Sequence, residues 1–271
     1  MHKYHAFFLC GFKVPDQPRV IELVKWLVGA ALLTQKLHLI ARSVEDPIKL
    51  EPTIQGDWDK RNIKLARMHV EHFSVASKNW ERAGTEFFFH FENVHTVARY
   101  SPESIHARKP EPIKITVPEG IKILSFGLRR DIWAVCRRSD LATRITGNLE
   151  SLFVDLDWIY GYAHSATRLI TGRYSLIGAE TANTTRVVDF DYMHKVERVY
   201  QTNFLSEPLL KQLDDRQRLD TLDRGAIRYR PLTKSDRTVG AVLELLDDSG
   251  ETRQAATHAL EPLVWGSGAN R

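Results

Sequence analysis

The sequence predicts an α+β protein, with mixed or antiparallel sheets and with helices packed on one face. Short runs of β-prone residues alternate with segments in which apolar residues recur at helical spacing. The 271 residues are 43% hydrophobic and 27% charged, which is typical of a globular protein with a large buried core. The order strand, helix, strand occurs twice along the chain, which suggests two similar lobes.

The first strand-helix-strand unit begins near the start of the sequence. Residues 4–9 are rich in aromatic side chains and are predicted to form a strand. Asp16 is the expected N-cap of a helix, with Pro18 in its first turn and an apolar stripe over residues 20–32. Residues 36–43 are predicted to form the returning strand.

The following segments are less regular. Residues 54–62 are polar and predict a turn, while residues 63–83 fit a strand followed by a short helix at 76–82. Three consecutive phenylalanines favour a strand over residues 85–91. We expect residues 94–100 to form its hairpin partner.

A charged, proline-rich stretch over residues 101–118 is the best candidate for a boundary between lobes. Proline removes a donor from a strand ladder and favours edges and surface segments. The four prolines of this stretch are Pro102, Pro110, Pro112 and Pro118. We therefore predict an N-terminal α+β lobe over residues 1–115 and a C-terminal α+β lobe over residues 116–271, with one continuous domain as the alternative.

The second half is predicted to repeat the order of the first. Residues 121–126 and 132–136 fit strands, and Ser139 is expected to cap a helix that leads to a strand over residues 158–164. The remaining elements are a strand over residues 196–205, a short helix over 207–213, a hairpin of 226–232 with 239–246, and a helix over 252–260.

Composition also bounds the cellular setting. Cys10 and Cys136 lie far apart and match no metal or redox spacing, so buried thiols are expected. The apolar N-terminal stretch is too short for a signal sequence, and the longest apolar run, residues 20–33, is too short for a membrane span. The sequence therefore predicts a cytoplasmic protein with no membrane association.

Known catalytic patterns are missing from the sequence. It contains no phosphate-binding glycine-rich loop, no Gly-x-Ser-x-Gly, no HExxH and no paired CxxC. Two histidine pairs, His69 with His72 and His90 with His95, come closest to a metal-binding pattern. A metal site needs three or four converging ligands, and neither pair supplies that number. We therefore predict no enzyme activity, no catalytic residues, no metal and no cofactor.

Acidic pairs keep one enzymatic alternative open. Asp189 and Asp191 are two residues apart and precede Lys195, and on a strand both carboxylates would point the same way. Such a pair could serve a metal-dependent hydrolase, although a solvated turn is the simpler interpretation. The other pairs are Asp155 with Asp157 and Asp214 with Asp215.

Basic residues concentrate in one short region. The formal net charge is +4 and the pI is about 9.0, which permits a nucleic acid or an acidic protein as partner. Beside Trp133 the sequence holds five arginines: Arg129, Arg130, Arg137, Arg138 and Arg144. This Arg129–Arg144 basic cluster could grip phosphates and stack a base, or it could be a solvated sheet edge.

The most distinctive segment is Trp158-Ile159-Tyr160-Gly161-Tyr162-Ala163-His164. On a strand, Trp158, Tyr160, Tyr162 and His164 would share one face. Aromatic side chains with a polar end are favoured interface anchors. The other interpretation is a core sheet face covered by the helix that follows Ser139.

The C-terminal half resembles bacterial polymorphic-toxin immunity proteins associated with type VI secretion. The aromatic segment is similar to their "aromatic-Gly-x-Ala-His" strand. Asp189-Phe190-Asp191-Tyr192 followed by Val199-Tyr200-Gln201-Thr202-Asn203-Phe204-Leu205-Ser206 resembles their "V-Y-x-x-N-hydrophobic-L/F" strand. A short helix and a basic hairpin from Gly225 complete the likeness, which covers about half of the chain. Where the family often has tryptophan, this chain has Gln201.

The resemblance implies an antitoxin that binds its cognate toxin and occludes it without chemistry. Because the chain is basic, the implied contact surface of the toxin is acidic. We expect the partner-binding residues to be Trp158, Tyr160, Tyr162, Arg129 and Arg130. The alternatives are a nucleic-acid-binding protein and the Asp189/Asp191 hydrolase.

Overall fold

A computed structural model describes most of the chain. The described residues are 4–11, 17–30, 33–43, 54–65, 70–77, 86–99, 113–155, 158–166, 199–213, 227–247, 249–261 and 263. Within these ranges the chain forms ten strands and six helices, so the predicted α+β class is confirmed.

All ten strands belong to one sheet, in which each pairing is antiparallel. The strands are β1 Tyr4–Gly11, β2 Leu37–Ser43, β3 Ile54–Asp57, β4 Val70–Ser77, β5 Phe87–Arg99, β6 Ile113–Arg129, β7 Trp158–Ala166, β8 Thr202–Ser206, β9 Ile227–Lys234 and β10 Arg237–Leu245. Their order across the sheet is β3-β2-β4-β5-β6-β1-β7-β8-β10-β9.

Five of the described helices lie between these strands in sequence, and the sixth follows β10. They are α1 Gln17–Ala30, α2 Trp58–Leu65, α3 Arg130–Arg138, α4 Leu141–Asp155, α5 Glu207–Leu210 and α6 Gly250–Ala259. None of them has the combination of length and hydropathy that a bilayer-spanning helix requires.

Strand β1 lies near the middle of the sheet, where it pairs with β6 on one side and β7 on the other. Its successive residues are apolar and point to opposite faces. Phe7 and Leu9 enter one hydrophobic core, and Ala6 and Phe8 enter a second. A strand with this sequence must be covered on both faces, because either exposed face would leave phenylalanine in water.

Helices supply that cover on both sides of the sheet. Val24 of α1 and Leu149 of α4 join Phe7 in the first core. Leu209 of α5 and Ala256 of α6 join Phe8 in the second. The expectation that helices pack on one face is therefore corrected, and the two-sided apolar pattern of β1 is the physical reason.

Of two strands predicted around helices α3 and α4, the structure corrects the first and confirms the second. Residues 132–136 lie inside helix α3, whose Cys136 is buried while its arginines are exposed. Ser139 ends that helix instead of starting the next one, since its N–H donates to Val135 O at 3.1 Å and its hydroxyl donates to Cys136 O at 3.1 Å. The predicted strand over residues 158–164 is present as β7.

The middle of the chain also differs from expectation. Residues 94–99 continue β5 and do not form its hairpin partner, because β5 pairs along its length with β6. Residues 54–62 form β3 and the start of α2 instead of a turn. The expected helix at 76–82 is wrong for residues 76 and 77, which end β4, and residues 78–82 lie outside the described residues.

The proposed lobe boundary at residue 115 falls within β6, where Ile115 pairs with Val97 of β5. The sheet itself is therefore continuous across that position. The two strand-helix-strand units also differ in placement. In the sheet, β1 and β2 are separated by β6, β5 and β4, whereas only β1 separates β6 from β7.

Candidate functional site

An open cleft of about 750 Å³ lies on the face of the sheet that carries the first core. The sheet contributes Phe7, Ala163 and Phe204 to its lining. Helices α3 and α4 contribute further lining residues, among them Trp133 and Thr146. The edge strand β9 and its neighbour β10 complete it, so the cleft joins elements that are distant in sequence.

Helix α3 presents one charged face to this cleft. Arg130, Ala134 and Arg137 all line it, and their spacing of four and three residues places them on one side of a helix. The buried Cys136 lies on another side and anchors α3 to the core. Burial raises the pKa of the Cys136 thiol, which fits a packing role.

Strand β9 supplies the arginines at the other end of the cleft. Arg228 and Arg230 are two residues apart and so project to the same face of the sheet, and both line the cleft. Leu232, the next residue in that alternation, packs into the first core. The alternating sequence of β9 thus fixes both the attachment of the strand and the direction of its charges.

Carboxylates already neutralise the two arginines of β9. Arg230 forms a two-pronged ion pair with Glu150 of α4, and these hydrogen bonds raise the pKa of Arg230. Arg228 Nη1 lies 3.6 Å from Glu244 Oε2 on β10. The β9 end of the cleft is therefore close to neutral.

The α3 end of the cleft keeps its positive charge. Within the described part of the chain, no carboxylate forms an ion pair with Arg130 or Arg137. Both side chains are exposed. The cleft therefore combines a neutral end with an end that carries two uncompensated guanidinium groups.

An aromatic platform lies between these arginines. The Trp133 ring stacks on the His5 ring with centroids 4.2 Å apart and planes inclined by 5°. Phe7 meets Trp133 edge-on at 5.4 Å. His5 is buried, and burial, followed by the charges of His164 and Arg137, lowers its pKa to about 3. The imidazole is neutral near pH 7 and acts as part of the platform.

Of the predicted contact residues, Arg130 lines the cleft but Arg129 does not. Arg129 donates from Nε and Nη2 to the two carboxylate oxygens of Asp131, at 2.7 and 2.8 Å. Its Nη2 also lies 3.7 Å from Glu86. Arg129 therefore fixes the junction of β6 and α3.

Glu86 is the buried centre of that junction. Its carboxylate accepts hydrogen bonds from the backbone N–H and the hydroxyl of Thr34 and from the backbone N–H of Gln35. Burial alone would raise the pKa of Glu86, but these bonds and the charge of Arg129 outweigh it, so the pKa is lowered. The group ties β5 and β6 to the segment before β2.

The remaining arginines of the basic cluster lie apart. Arg137 lines the cleft, whereas Arg138 does not. Arg144 borders a second groove, between α1 and α4, with its guanidinium 5.7 Å from the centroid of the Trp26 ring. The Arg129–Arg144 cluster is thus not a single surface, because its members lie at the β6–α3 junction, on α3 and on α4.

The predicted aromatic contacts are in the second core. Tyr160 and Tyr162 are fully buried, and Tyr162 stacks on Tyr200 at 3.8 Å and on Phe8 at 4.9 Å. Both tyrosines are therefore core residues of the second core, and their contact with a partner stays a prediction. Trp158 begins β7 opposite Gly11, and its side chain lies outside the described part of the structure.

The cover of this aromatic face also differs from expectation. The helix after Ser139 packs on the opposite side of the sheet. Tyr200, α5 and α6 cover the tyrosines instead. Asn203 holds Tyr200 in place, since its side chain accepts from Tyr200 N at 3.0 Å and donates to Tyr200 O at 2.8 Å.

The other predicted candidates do not converge in the described part of the chain. There, no group of three His, Cys, Asp or Glu side chains is arranged to hold a metal ion. His90 is buried with its Nδ1 2.9 Å from Ser74 Oγ, and His72 and His95 lie on strands β4 and β5. The candidates outside the described residues are His69, Asp157, Asp189, Asp191, Asp214 and Asp215.

Sequence reasoning missed the contribution of β9 and of the two glutamates. The pattern Ile227-Arg228-Tyr229-Arg230 does show two arginines on one face of a strand. The pairing of these arginines with Glu150 and Glu244 depends on tertiary packing of α4 and β10. No local signal in the sequence reports it.

Comparison with known proteins gives a fold likeness. No family model matches the chain, and no curated protein matches its sequence. Among solved structures, it is similar to the Pseudomonas aeruginosa T6SS protein PA0821, with a TM-score of 0.59 and 12% sequence identity. The likeness covers 97% of this chain and 78% of that one. At this identity it establishes a shared fold.

Proposed function

From this likeness to a T6SS protein, we propose that the chain is an immunity protein associated with a type VI secretion system. It binds a cognate toxin in the cytoplasm, occludes it, and performs no chemistry of its own. The contact surface of the toxin is acidic. The proposal joins the fold likeness, which extends over nearly the whole chain, to the resemblance of the C-terminal half to immunity proteins.

The segments that carry the resemblance have a structural role. The aromatic segment is β7, and the Val199–Ser206 segment contains β8, its neighbour in the sheet. Tyr162, Tyr200 and Asn203 form one buried group there. These residues have a packing role in the fold, and we propose that the toxin contacts a more exposed surface.

The observation that carries the proposal is the cationic cleft. It presents Arg130, Arg137 and Trp133 together at an open surface. Arginine and tryptophan are enriched among the side chains that dominate binding energy at protein interfaces. An uncompensated pair of positive charges also speeds association with an acidic partner and disfavours basic ones.

Co-expression with the product of the neighbouring toxin gene tests this function. We expect the toxin alone to stop growth and the chain to restore it, with a stoichiometric complex on affinity capture that withstands moderate salt. The reason is that occlusion requires a tight complex and no turnover. A folded, well-expressed chain that neither restores growth nor captures the toxin would contradict the proposal.

Nucleic-acid binding is the second candidate, because arginines beside an aromatic ring also suit a single strand. One face of the Trp133 ring is already stacked on His5, which leaves less ring surface for a base. This candidate predicts retention of nucleic acid on purification and an affinity that falls steeply with salt. Neither is expected of an immunity protein.

A further inference from the structure

We infer that the cleft receives an extended acidic segment of the partner protein, whose carboxylates lie against Arg130 and Arg137 at the α3 end. The inference rests on the proposed function, because it names the part of the toxin that is bound. It goes beyond that function in assigning the site, the polarity of the occupant and the residues that hold it.

The shape of the cleft favours a segment over a flat protein face. Its volume of about 750 Å³ lies in the range of cavities that enclose a ligand of limited size. Elements on several sides line it: helices α3 and α4, the central strands, and the edge pair β9 and β10. A loop or a strand of a partner can enter such a cleft, whereas a whole domain surface can contact only its rim.

The charge distribution sets the chemistry of the occupant. At the α3 end, Arg130 and Arg137 have no ion pair within the described part of the chain. At the β9 end, Glu150 and Glu244 occupy the guanidinium groups of Arg230 and Arg228. A carboxylate is therefore attracted at the α3 end and gains nothing at the β9 end.

The lining between the two ends is mixed. Phe7, Ala163 and Phe204 form a buried floor, and polar residues such as Thr202 lie beside them. Trp133 of α3 is partly exposed, so apolar side chains of the occupant can pack on its ring and gain about 25 cal/mol for each Å² of apolar surface removed from water. The occupant that fits the cleft has acidic residues at one end and apolar residues behind them.

A peptide titration tests the inference with a defined probe. The probe is a fluorescein-labelled peptide of about ten residues that alternates Glu with Val, and its matched control replaces each Glu by Gln. Fluorescence anisotropy measures the binding of both peptides to the full chain. We expect the Glu peptide to bind about tenfold more tightly, because two exposed ion pairs contribute roughly this factor.

Charge variants on one helix locate the site. Arg130→Glu/Arg137→Glu is expected to weaken binding of the Glu peptide by tenfold or more, and Arg130→Gln/Arg137→Gln by a smaller factor. The control is Arg138→Glu, which changes the same charge on α3 but lies outside the cleft lining, and it should alter affinity less than about twofold. Thermal unfolding of each variant verifies that the fold is intact.

Three outcomes would overturn the inference. The Glu and Gln peptides could bind equally, or Arg138→Glu could weaken binding as much as the cleft variants. In the third outcome, a single-stranded oligonucleotide of about ten nucleotides displaces the Glu peptide and binds more tightly than it does. If the Arg130 and Arg137 variants also weaken binding of the oligonucleotide, the cleft would be assigned to nucleic acid.

The failure of the proposed function is a separate result. If the chain protects against the toxin and the cleft variants protect equally well, the immunity function stands and the assignment of the cleft is wrong. If the chain gives no protection while the Glu peptide binds as described, the cleft chemistry stands and the toxin is not its partner.

Discussion

His5 shows how one buried side chain links the cleft to the stability of the fold. Its ring stacks on Trp133 and meets Phe7 edge-on, and its pKa is about 3 in the folded chain against an ordinary value of 6.5. Between about pH 3 and pH 6.5, His5 therefore binds a proton in the unfolded chain but stays neutral in the folded chain. The stabilising contribution is complete above pH 6.5 and is lost as the pH falls from 6.5 towards about 3.

The variant His5→Phe tests this contribution, because it keeps an aromatic ring and removes the titration. Between about pH 6 and pH 4, we expect the free energy of unfolding of the wild-type chain to fall more steeply, by up to about 1.4 kcal/mol for each pH unit. Urea unfolding at several pH values measures both slopes. Carboxylates such as Glu86 and Asp131, whose pKa values are lowered, contribute equally to both proteins. Parallel pH profiles would refute this account of His5.

For single side chains, sequence predicts the face of a strand better than it predicts exposure. Alternation correctly places Tyr160 and Tyr162 on one face of a strand, and both are in the same core. Their burial depends on Tyr200 and on helices α5 and α6, none of which is adjacent in sequence. Arg129 is similar, since its partner Asp131 is local whereas its partner Glu86 is distant in sequence. Exposure, and hence contact with a partner, follows from these distant contacts.

Among the elements, strand β7 depends on a close approach that only glycine allows. A Cβ atom on Gly161 would lie 2.8 Å from the backbone oxygen of Phe8 in β1 and would also collide with the Leu9 side chain. The backbone cannot yield there without disturbing the β1–β7 ladder. The glycine of the aromatic segment is therefore required by the pairing of these two strands.

We expect Gly161→Ala to lower the free energy of unfolding by about 1–3 kcal/mol, the usual cost of overpacking. The matched control is Gly29→Ala in α1, where a Cβ atom meets nothing within 4 Å. It should raise stability by up to about 0.5–1 kcal/mol, because alanine has the higher helix propensity and Gly29 lies in the last turn of α1. Chemical denaturation of the two variants gives both values, and changes of the same sign would show that the close approach does not limit β7.

Elements defined by local signals are those that sequence predicts well. Helix α1 and the β9–β10 hairpin combine a clear period with nearby turn or cap residues, and β1 is a short apolar run that ends at a glycine. Helix α3 is mistaken for a strand because its apolar core, residues 132–136, is too short to distinguish the two periods. Strand β3 and helix α2 are missed because their polar composition hides their amphipathic pattern.

At the scale of the whole molecule, β1 and β6 unite the two halves of the sheet. Strands β2 to β5 lie on the β6 side of this central pair, and strands β7 to β10 lie on the β1 side. Phe7 stacks on Phe126 across the β1–β6 pair at 4.5 Å. The two strands are thus central to both halves of the sheet, although both come from the first half of the sequence.

This arrangement predicts that the described sheet unfolds as one unit. Phe7→Leu should cost about 1 kcal/mol and should speed amide hydrogen exchange by about fivefold in β4 and in β10 alike, because both are protected by the same global opening. Ile63→Ala on the exposed side of α2 should leave both unchanged. Faster exchange in only one of these strands would indicate two independently unfolding units.

The order of the strands is the part of the fold that lies beyond sequence reasoning. The pattern of β1 shows that both of its faces are buried, and a central position follows from that. Its neighbours are set by which apolar surfaces meet across the whole chain, as in the pairing of Phe7 with Phe126 and Ala163. The cleft also depends on the strand order, because that order brings β9 and α3 to the same cleft.

The central position of β1 also has a consequence for synthesis on the ribosome. The strand emerges early, yet both of its partners are encoded far later, around residues 126 and 163. Until β6 has left the exit tunnel, a segment with phenylalanine on both faces has no ladder to join, and its other edge stays unpaired until β7 follows. Sheets closed by such distant pairings fold slowly and leave aggregation-prone segments exposed meanwhile. The nascent chain therefore depends on protection of β1, by chaperones or by early contacts with α1, while the residues between β1 and its partners are being made.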